Sequence, residues 1–367
     1  MSRIVLDHIA HSYMARPRGA EDYALKPLDH VWDDGGAYAL LGPSGCGKTT
    51  LLNIISGLIT PSEGGVSFDG IDVTHLPTAE RNIAQVFQFP VIYDTMTVAQ
   101  NLAFPLRNRR EPEVEVRKRV AEVAEMLELT PMLNQRARRL TADAKQKISL
   151  GRGLVRPDVS AILFDEPLTV IDPHLKWVLR AKIKQLHRQF GLTMVYVTHD
   201  QTEALSFADK VVVMYEGEVV QIGTPEDLFE RPAHTFVGYF IGSPGMNVAP
   251  IEVRGDRARL GARDIPLGQA YPHLAAGAKI ELGIRPEFVH LAAKGADGIL
   301  GSVIRVDDVG RCRVVKLDID GHLFNAIAAE DGAIDDDRAR VVFDPDHLHV
   351  YADGRLVEGV PGARGAA

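Results

Sequence analysis

The sequence predicts an α/β domain built on a mainly parallel sheet, followed by a small all-β domain. Three observations carry this. Apolar strand-like runs alternate with amphipathic helical periodicities up to about Gly242, the pattern of a sheet covered on both faces. The composition then shifts at Gly242-Ser243-Pro244-Gly245. Beyond that point come short alternating runs separated by Gly, Asp and Pro turns. A length of 367 residues suits two domains rather than one, with boundaries at 1–242 and 243–367.

Taken in order, Ala37 to Leu41 (AYALL) is a buried strand, followed at once by a glycine-rich turn and a helix from Gly47. Ile83 to Phe87 is a further apolar run. Val116, Val120, Val123 and Leu127 recur at helical spacing, as do Leu175, Leu179, Ile183, Leu186 and Phe190. The latter helix runs into Gly191, after which Met194 to Val197 (MVYV) reads as a strand. Thr224-Pro225-Glu226-Asp227 is a helix start: Thr caps, Pro takes the first turn, and acids meet the positive end of the dipole. In the second domain the strand candidates are Lys279 to Ile284, Gly301 to Val306, Arg313 to Ile319, Arg340 to Phe343 and His347 to Tyr351. The tail Pro361 to Ala367 has too little apolar mass to pack. The first domain is not repeated along the chain.

Composition excludes several classes. With 46% hydrophobic and 25% charged residues the chain reads as a soluble globular protein. A formal net charge of −8 gives no global attraction to nucleic acid. Two cysteines, Cys46 and Cys312, are too few for a disulfide framework and fit a reducing cytoplasm. No long apolar run spans a bilayer, and the N-terminus lacks a signal-peptide layout, so a membrane would be reached through a protein partner.

Gly42-Pro43-Ser44-Gly45-Cys46-Gly47-Lys48-Thr49-Thr50 fits the G-x-x-x-x-G-K-[ST] pattern between a strand and a helix. Glycines let consecutive N–H groups line one concavity, and the helix adds its positive end there. Lys48 would meet the β- and γ-phosphates of a nucleotide and the Thr49 hydroxyl would face Mg²⁺. Ala161 to Glu166 is an apolar strand ending in two carboxylates. Asp165 would hold Mg²⁺, largely through water, and Glu166 would orient or deprotonate the attacking water. His199 follows the MVYV strand, at the carboxyl end where open α/β sheets bind ligands, as a sensor of the γ-phosphate. Gln88, after the Ile83 to Phe87 run, could reach the metal or the water.

Together these residues resemble the ABC-transporter ATPase family. The match covers the first domain: the phosphate loop, Gln88 of the Q-loop, Asp165-Glu166, Asp172 of the D-loop and His199 of the H-loop. The resemblance implies a P-loop NTPase fold with a helical subdomain at about 89–157. It also implies an aromatic stacked on adenine, with Tyr13 similarly placed and Tyr23 a rival. Leu282-Gly283-Ile284-Arg285-Pro286-Glu287 and the stretch Val342 to Tyr351 look like the C-terminal domain of the maltose-type, carbohydrate-importer branch, an OB-like regulatory domain. Two such ATPases would then sit under two membrane permeases at the cytoplasmic face of the inner membrane. An external binding protein would deliver a carbohydrate, polyol or related solute.

The family's signature, leucine-serine-glycine-glycine-glutamine, appears here as Leu140-Thr141-Ala142-Asp143-Ala144, and the pattern recovers at Gln146 and Leu150-Gly151-Arg152. In the family this motif reaches across a dimer to the γ-phosphate of the other subunit, so Thr141, Asp143 and Asp172 are the dimer-interface candidates. Alanines add bulk where glycines allow close approach, and Asp143 adds negative charge. At about 4 Å and a dielectric near 20, the repulsion is at most roughly 4 kcal/mol. Alternatively, Asp143 occupies the first helical turn, where an acid is favoured, and points away. The first reading favours pairing with a second ATPase bearing an intact signature, as in importers of glycerol or related polyols. A homodimer would carry two compromised sites.

Phe89 to Arg110 holds Pro90, Tyr93 and Met96; in the family this region docks a permease helix, and the alternative reading is an ordinary helical-subdomain surface. Cys46 is a small residue that fits its turn, and Arg136 to Arg139 reads as a solvated surface. Competing functions are an ATP-binding regulatory subunit with little hydrolysis and an ABC ATPase acting on nucleic acid. Retention of Glu166 and His199 argues against the former. The lack of a duplicated ATPase unit or coiled-coil insertion argues against the latter.

Overall fold

The computed structural model describes residues 2–292, 297–328 and 337–361, so the tail 362–367 lies outside the described residues. Two compact units divide the chain, Met1–Pro225 and Glu226–Ala367. The first opens with β1 (Ile4–His11) and β2 (Leu25–Trp32), then β3 (Ala37–Leu41), α1 (Lys48–Ser56), β4 (Glu63–Phe68), β5 (Ile71–Asp72) and β6 (Ile83–Val86). Three helices follow: α2 (Val98–Asn108), α3 (Glu113–Met126) and α4 (Ala142–Leu154). Next come β7 (Ala161–Asp165), α5 (Pro173–Phe190), β8 (Met194–Thr198), α6 (Gln201–Phe207), β9 (Lys210–Tyr215) and β10 (Glu218–Gly223).

The main sheet has the order β10-β9-β3-β8-β7-β6; β9, β3, β8, β7 and β6 pair in parallel and β10 is the antiparallel edge. The strands β3 and β8 are buried at every residue, as continuous apolar runs covered on both faces must be. Beside this sheet, β2-β1-β4-β5 form an antiparallel sheet that contributes Ile4, Leu6, Leu25 and Trp32 to the same core as Leu40, Leu51 and Val197. Helix α5 ends at Gly191, whose φ of 59° is the left-handed cap expected of glycine.

The second unit starts with short helices at Pro225–Glu230 and Thr235–Phe240, the first of them beginning just inside the preceding unit. Its largest sheet runs 289–291, 338–343, 299–308, 313–319 and 322–328, all antiparallel. A four-stranded sheet orders 247–250, 280–284, 349–352 and 355–357. Leu260, Leu282, Val315, Phe324, Val341 and Val350 share one core, in keeping with a small all-β fold. One expectation needs correction. The run from His347 begins with a 3₁₀ turn at Pro345–His347, because Asp344 caps it and Pro345 fixes its first φ, and the strand starts at His349.

Arg285, from the stretch Leu282 to Glu287, is 2% exposed and closes the ends of the two short helices. It donates to the carbonyls of Leu228, Phe229 and Ile241, and its guanidinium lies 4.0 Å from the Phe229 ring centroid. Such charge-assisted bonds to helix C-terminal carbonyls satisfy groups that have no partner within the helix.

Candidate active site

The carboxyl ends of β3, β6, β7 and β8 carry the site. Leaving β3, the chain curls through Gly42 to Gly47 and enters α1. Glycine is required at both ends of the curl. A Cβ on Gly42 would sit 2.2 Å from the carbonyl oxygen of Met214, and one on Gly47 would sit 2.5 Å from that of Ala24. Gly47 also has φ of 98°, where side chains are strained. The Lys48 side chain turns back over the loop, donating to the carbonyls of Gly42 and Pro43 at 2.8 Å each. Cys46 Sγ lies 3.8 Å from that ammonium, and burial pushes its thiol pKa up against the pull of Lys48. Ser44 and Gly45 form the tip of the curl.

Thr49, in the first turn of α1, donates from Oγ1 to Asp165 Oδ1 at 3.3 Å. Burial raises the Asp165 pKa above the usual carboxylate value; the Thr49 bond opposes this, Glu166 adds to it, and Lys48 opposes it. The adjacent Glu166 has φ of 46°, a left-handed conformation uncommon for a non-glycine residue. Its Oε2 gathers three partners: Gln88 Nε2 at 3.4 Å, Thr169 Oγ1 at 3.3 Å and His199 Nδ1 at 3.2 Å. Sequence reasoning missed Thr169. A Thr three residues after the carboxylate, in a turn, was the available signal.

Behind this cluster stands Gln146 of α4, fully buried. Its Nε2 donates to the carbonyl of Pro167 at 2.7 Å and to that of Phe87 at 3.3 Å, the residues following Glu166 and preceding Gln88. Tyr13, 66% exposed, places its hydroxyl 3.1 Å from Thr50 Oγ1 at the start of α1. Tyr23 is held elsewhere, donating to Glu63 at 2.6 Å.

The remaining candidates lie apart from the carboxylates. Asp172 caps α5, its carboxylate accepting from the His174 N–H at 2.9 Å. Thr141 caps α4, accepting from the Ala144 N–H at 3.3 Å. Asp143 sits in the first turn of α4, with Oδ2 3.7 Å from Lys147 Nζ. Its Oδ1 is buried without a hydrogen-bond partner among the described residues. Lys147 also faces Glu128, which in turn meets Lys182 at 2.7 Å.

Comparison with known proteins points one way. The family described as ABC transporter matches residues 25–169, and that described as MalK OB fold domain matches residues 242–289. The chain is 36% identical over 353 residues to the sn-glycerol-3-phosphate import ATP-binding protein UgpC of Jannaschia sp. (strain CCS1), covering 96% of this chain and 98% of that one. To the UgpC of Brucella abortus biovar 1 it is 38% identical over 367 residues, covering 97% and 99%. Among solved structures, it resembles a dimeric ATP-binding cassette in a post-hydrolysis state bound to ADP and phosphate. The TM-score is 0.54 at 29% identity, over 60% of this chain and 98% of that one.

Proposed function

This chain belongs to the ABC-transporter ATPases of the maltose-type importer branch, and on that premise we propose how its residues divide the work. It is the ATP-binding, ATP-hydrolysing subunit of an importer of a carbohydrate, polyol or related small solute. In our reading the main chain from Gly42 to Thr50 cradles the β- and γ-phosphates and Lys48 supplies positive charge to them. Tyr13 stacks on adenine. Its position beside Thr50 favours it over Tyr23.

Thr49 and Asp165 offer two hard oxygen donors side by side, and a partly buried carboxylate is suited to a cation, so they fit Mg²⁺, with Gln88 as a further ligand. The ion would neutralise charge on the β- and γ-phosphates. Glu166 accepts the proton of the attacking water. The water oxygen bonds to the γ-phosphorus, the bond from that phosphorus to the bridging oxygen breaks, and ADP departs. The single observation that carries this is the convergence of Gln88, Thr169 and His199 on Oε2, which fixes the carboxylate. Glu166→Gln should lower kcat by roughly 10²–10⁴-fold while ATP still binds. Lys48→Ala should lose both, and unchanged turnover in either variant would refute the assignment.

The exposed run of Phe89, Val91 and Tyr93 supports a permease-docking role for the segment after Gln88. The subunit would then lie peripherally at the cytoplasmic face of the membrane, served by two permeases and an external solute-binding protein. Sn-glycerol 3-phosphate, named for the relatives, is the solute we propose first.

A second ATPase with an intact signature remains our proposed companion, resting on Ala142, Asp143 and Ala144. The Lys147 pairing favours the reading in which Asp143 is a first-turn acid turned along its own helix. The repulsion then falls well below its ceiling, and the alanine bulk becomes the main impediment. Asp143→Gly alone should change the ATPase rate of the purified complex less than twofold. A rise of about tenfold would restore the charge as the cause.

A further inference from the structure

Tyr13 is 66% exposed, and an exposed tyrosine ordinarily samples several rotamers. Stacking on a base then costs the entropy of holding one of them. Here two contacts hold the side chain already. The phenol oxygen lies 3.1 Å from Thr50 Oγ1 at its tip. The ring meets the ring of His11 edge to face, with centroids 4.7 Å apart and planes at 88°, an arrangement that aromatic rings favour.

His11 is itself anchored. It ends β1, is 9% exposed, and has Nδ1 3.3 Å from Ser62 Oγ. Ser62 also grips the chain on both sides of His11: its N–H donates to the Ala10 carbonyl at 2.9 Å, and its Oγ accepts from the Ser12 N–H at 3.1 Å. The other ring nitrogen, Nε2, is buried without a hydrogen-bond partner among the described residues, and burial pushes the imidazole pKa down. A buried polar atom left unpaired costs stability, so this nitrogen does not account for a histidine here. The contact of its ring with Tyr13 does.

We propose that His11 is a positioning residue for the nucleotide base: it sets the Tyr13 ring so that adenine meets a face already in place. This rests on the reading of Tyr13 as the adenine-stacking residue. His11 holds the body of the side chain and Thr50 holds its tip, so little rotamer freedom remains to be lost on binding. Charge on the triphosphate is met by Lys48 and the phosphate loop, and the effect of His11 therefore falls on the base.

Two variants of the full chain separate the ring from its hydrogen bond. His11→Phe keeps an aromatic ring beside Tyr13 and loses the bond to Ser62, whereas His11→Gln loses the ring and keeps a polar group for Ser62. Calorimetry follows a non-hydrolysable ATP analogue with Mg²⁺, and inorganic tripolyphosphate as a probe without a base. His11→Gln should weaken the analogue about three- to tenfold, the range set by one aromatic pair, and leave tripolyphosphate within about twofold of wild type. His11→Phe should bind both as wild type does. Adding His11→Gln to Tyr13→Ala should cost nothing further, since both act through one ring. The proposal is overturned if His11→Gln keeps wild-type affinity for the analogue, if both ligands weaken together, or if His11→Phe loses as much as His11→Gln. Tyr13→Ala alone tests the premise. Full analogue affinity in that variant removes adenine stacking by Tyr13, and the role of His11 with it; a loss there with none in His11→Gln removes the role of His11 only.

Discussion

Replacing Gln146 with methionine isolates the contribution of a residue that touches no reacting atom. Its side-chain amide spans from α4 to the carbonyls of Phe87 and Pro167, so it fixes the backbone on which Gln88 and Glu166 stand. Methionine keeps the volume. The buried Pro167 carbonyl and the part-buried Phe87 carbonyl lose their donor, at up to about 1–3 kcal/mol each. Against this, Gln146 Oε1 is itself buried without a partner among the described residues, and removing it gains about 1–3 kcal/mol. The net loss of stability is then about 1–3 kcal/mol, small enough for the protein to fold. The effect on rate is larger in proportion, because a shift of about 1 Å in a catalytic group can cost roughly 10²-fold. We expect kcat to fall about 10- to 100-fold, with KM for ATP within about twofold of wild type. Steady-state ATPase assays and urea unfolding measure the two effects on the same preparation. A stability loss with kcat unchanged would show that Gln146 is only a packing residue, and KM rising in step with falling kcat/KM would place its effect on binding.

Two further outcomes follow from the same geometry. Because burial raises the Asp165 pKa, the folded state binds that proton more tightly than the unfolded chain does. This carboxylate therefore costs stability at neutral pH, and the cost is relieved as pH falls through the raised value toward 3.8. Asp165→Asn should raise the nucleotide-free Tm at pH 7 by about 1–3 °C and abolish stabilisation by Mg–ATP; a lowered Tm would contradict the argument. Tyr13→Ala should weaken ATP binding roughly tenfold, whereas Tyr23→Ala should not, and the reverse order would transfer adenine stacking to Tyr23.

The parts of the site that were legible in the sequence are those whose chemistry is local. The phosphate loop and the Asp165-Glu166 pair each lie at a strand end, so the apolar run and the residues after it identify them together. Thr169 escaped because its bond to Glu166 arises from the shape of a turn. Gln146 appeared only as the resumption of a motif, since its partners lie 21 and 59 residues away in sequence. The antiparallel sheet was also illegible: β1 carries register shifts that break its alternation, and β2 contains Pro27. In the second unit, strands of three and four residues at 252–254, 257–260 and 263–266 are too short to display a period. The orientation of Asp143 depended on Lys147 one turn on, a spacing visible in the sequence but ambiguous between a paired and an outward carboxylate.

The two glycines that bound the phosphate loop are wedged against carbonyls of two different strands' chain segments, Met214 near the end of β9 and Ala24 at the entry to β2. The curl is thus shaped by folding of both sheets, before any triphosphate arrives. Little ordering of the backbone is left to accompany capture of the nucleotide, so its affinity is governed by charge and contact rather than by loop closure. A change that loosened β9 or the entry to β2 would weaken nucleotide retention as surely as a change in the loop itself.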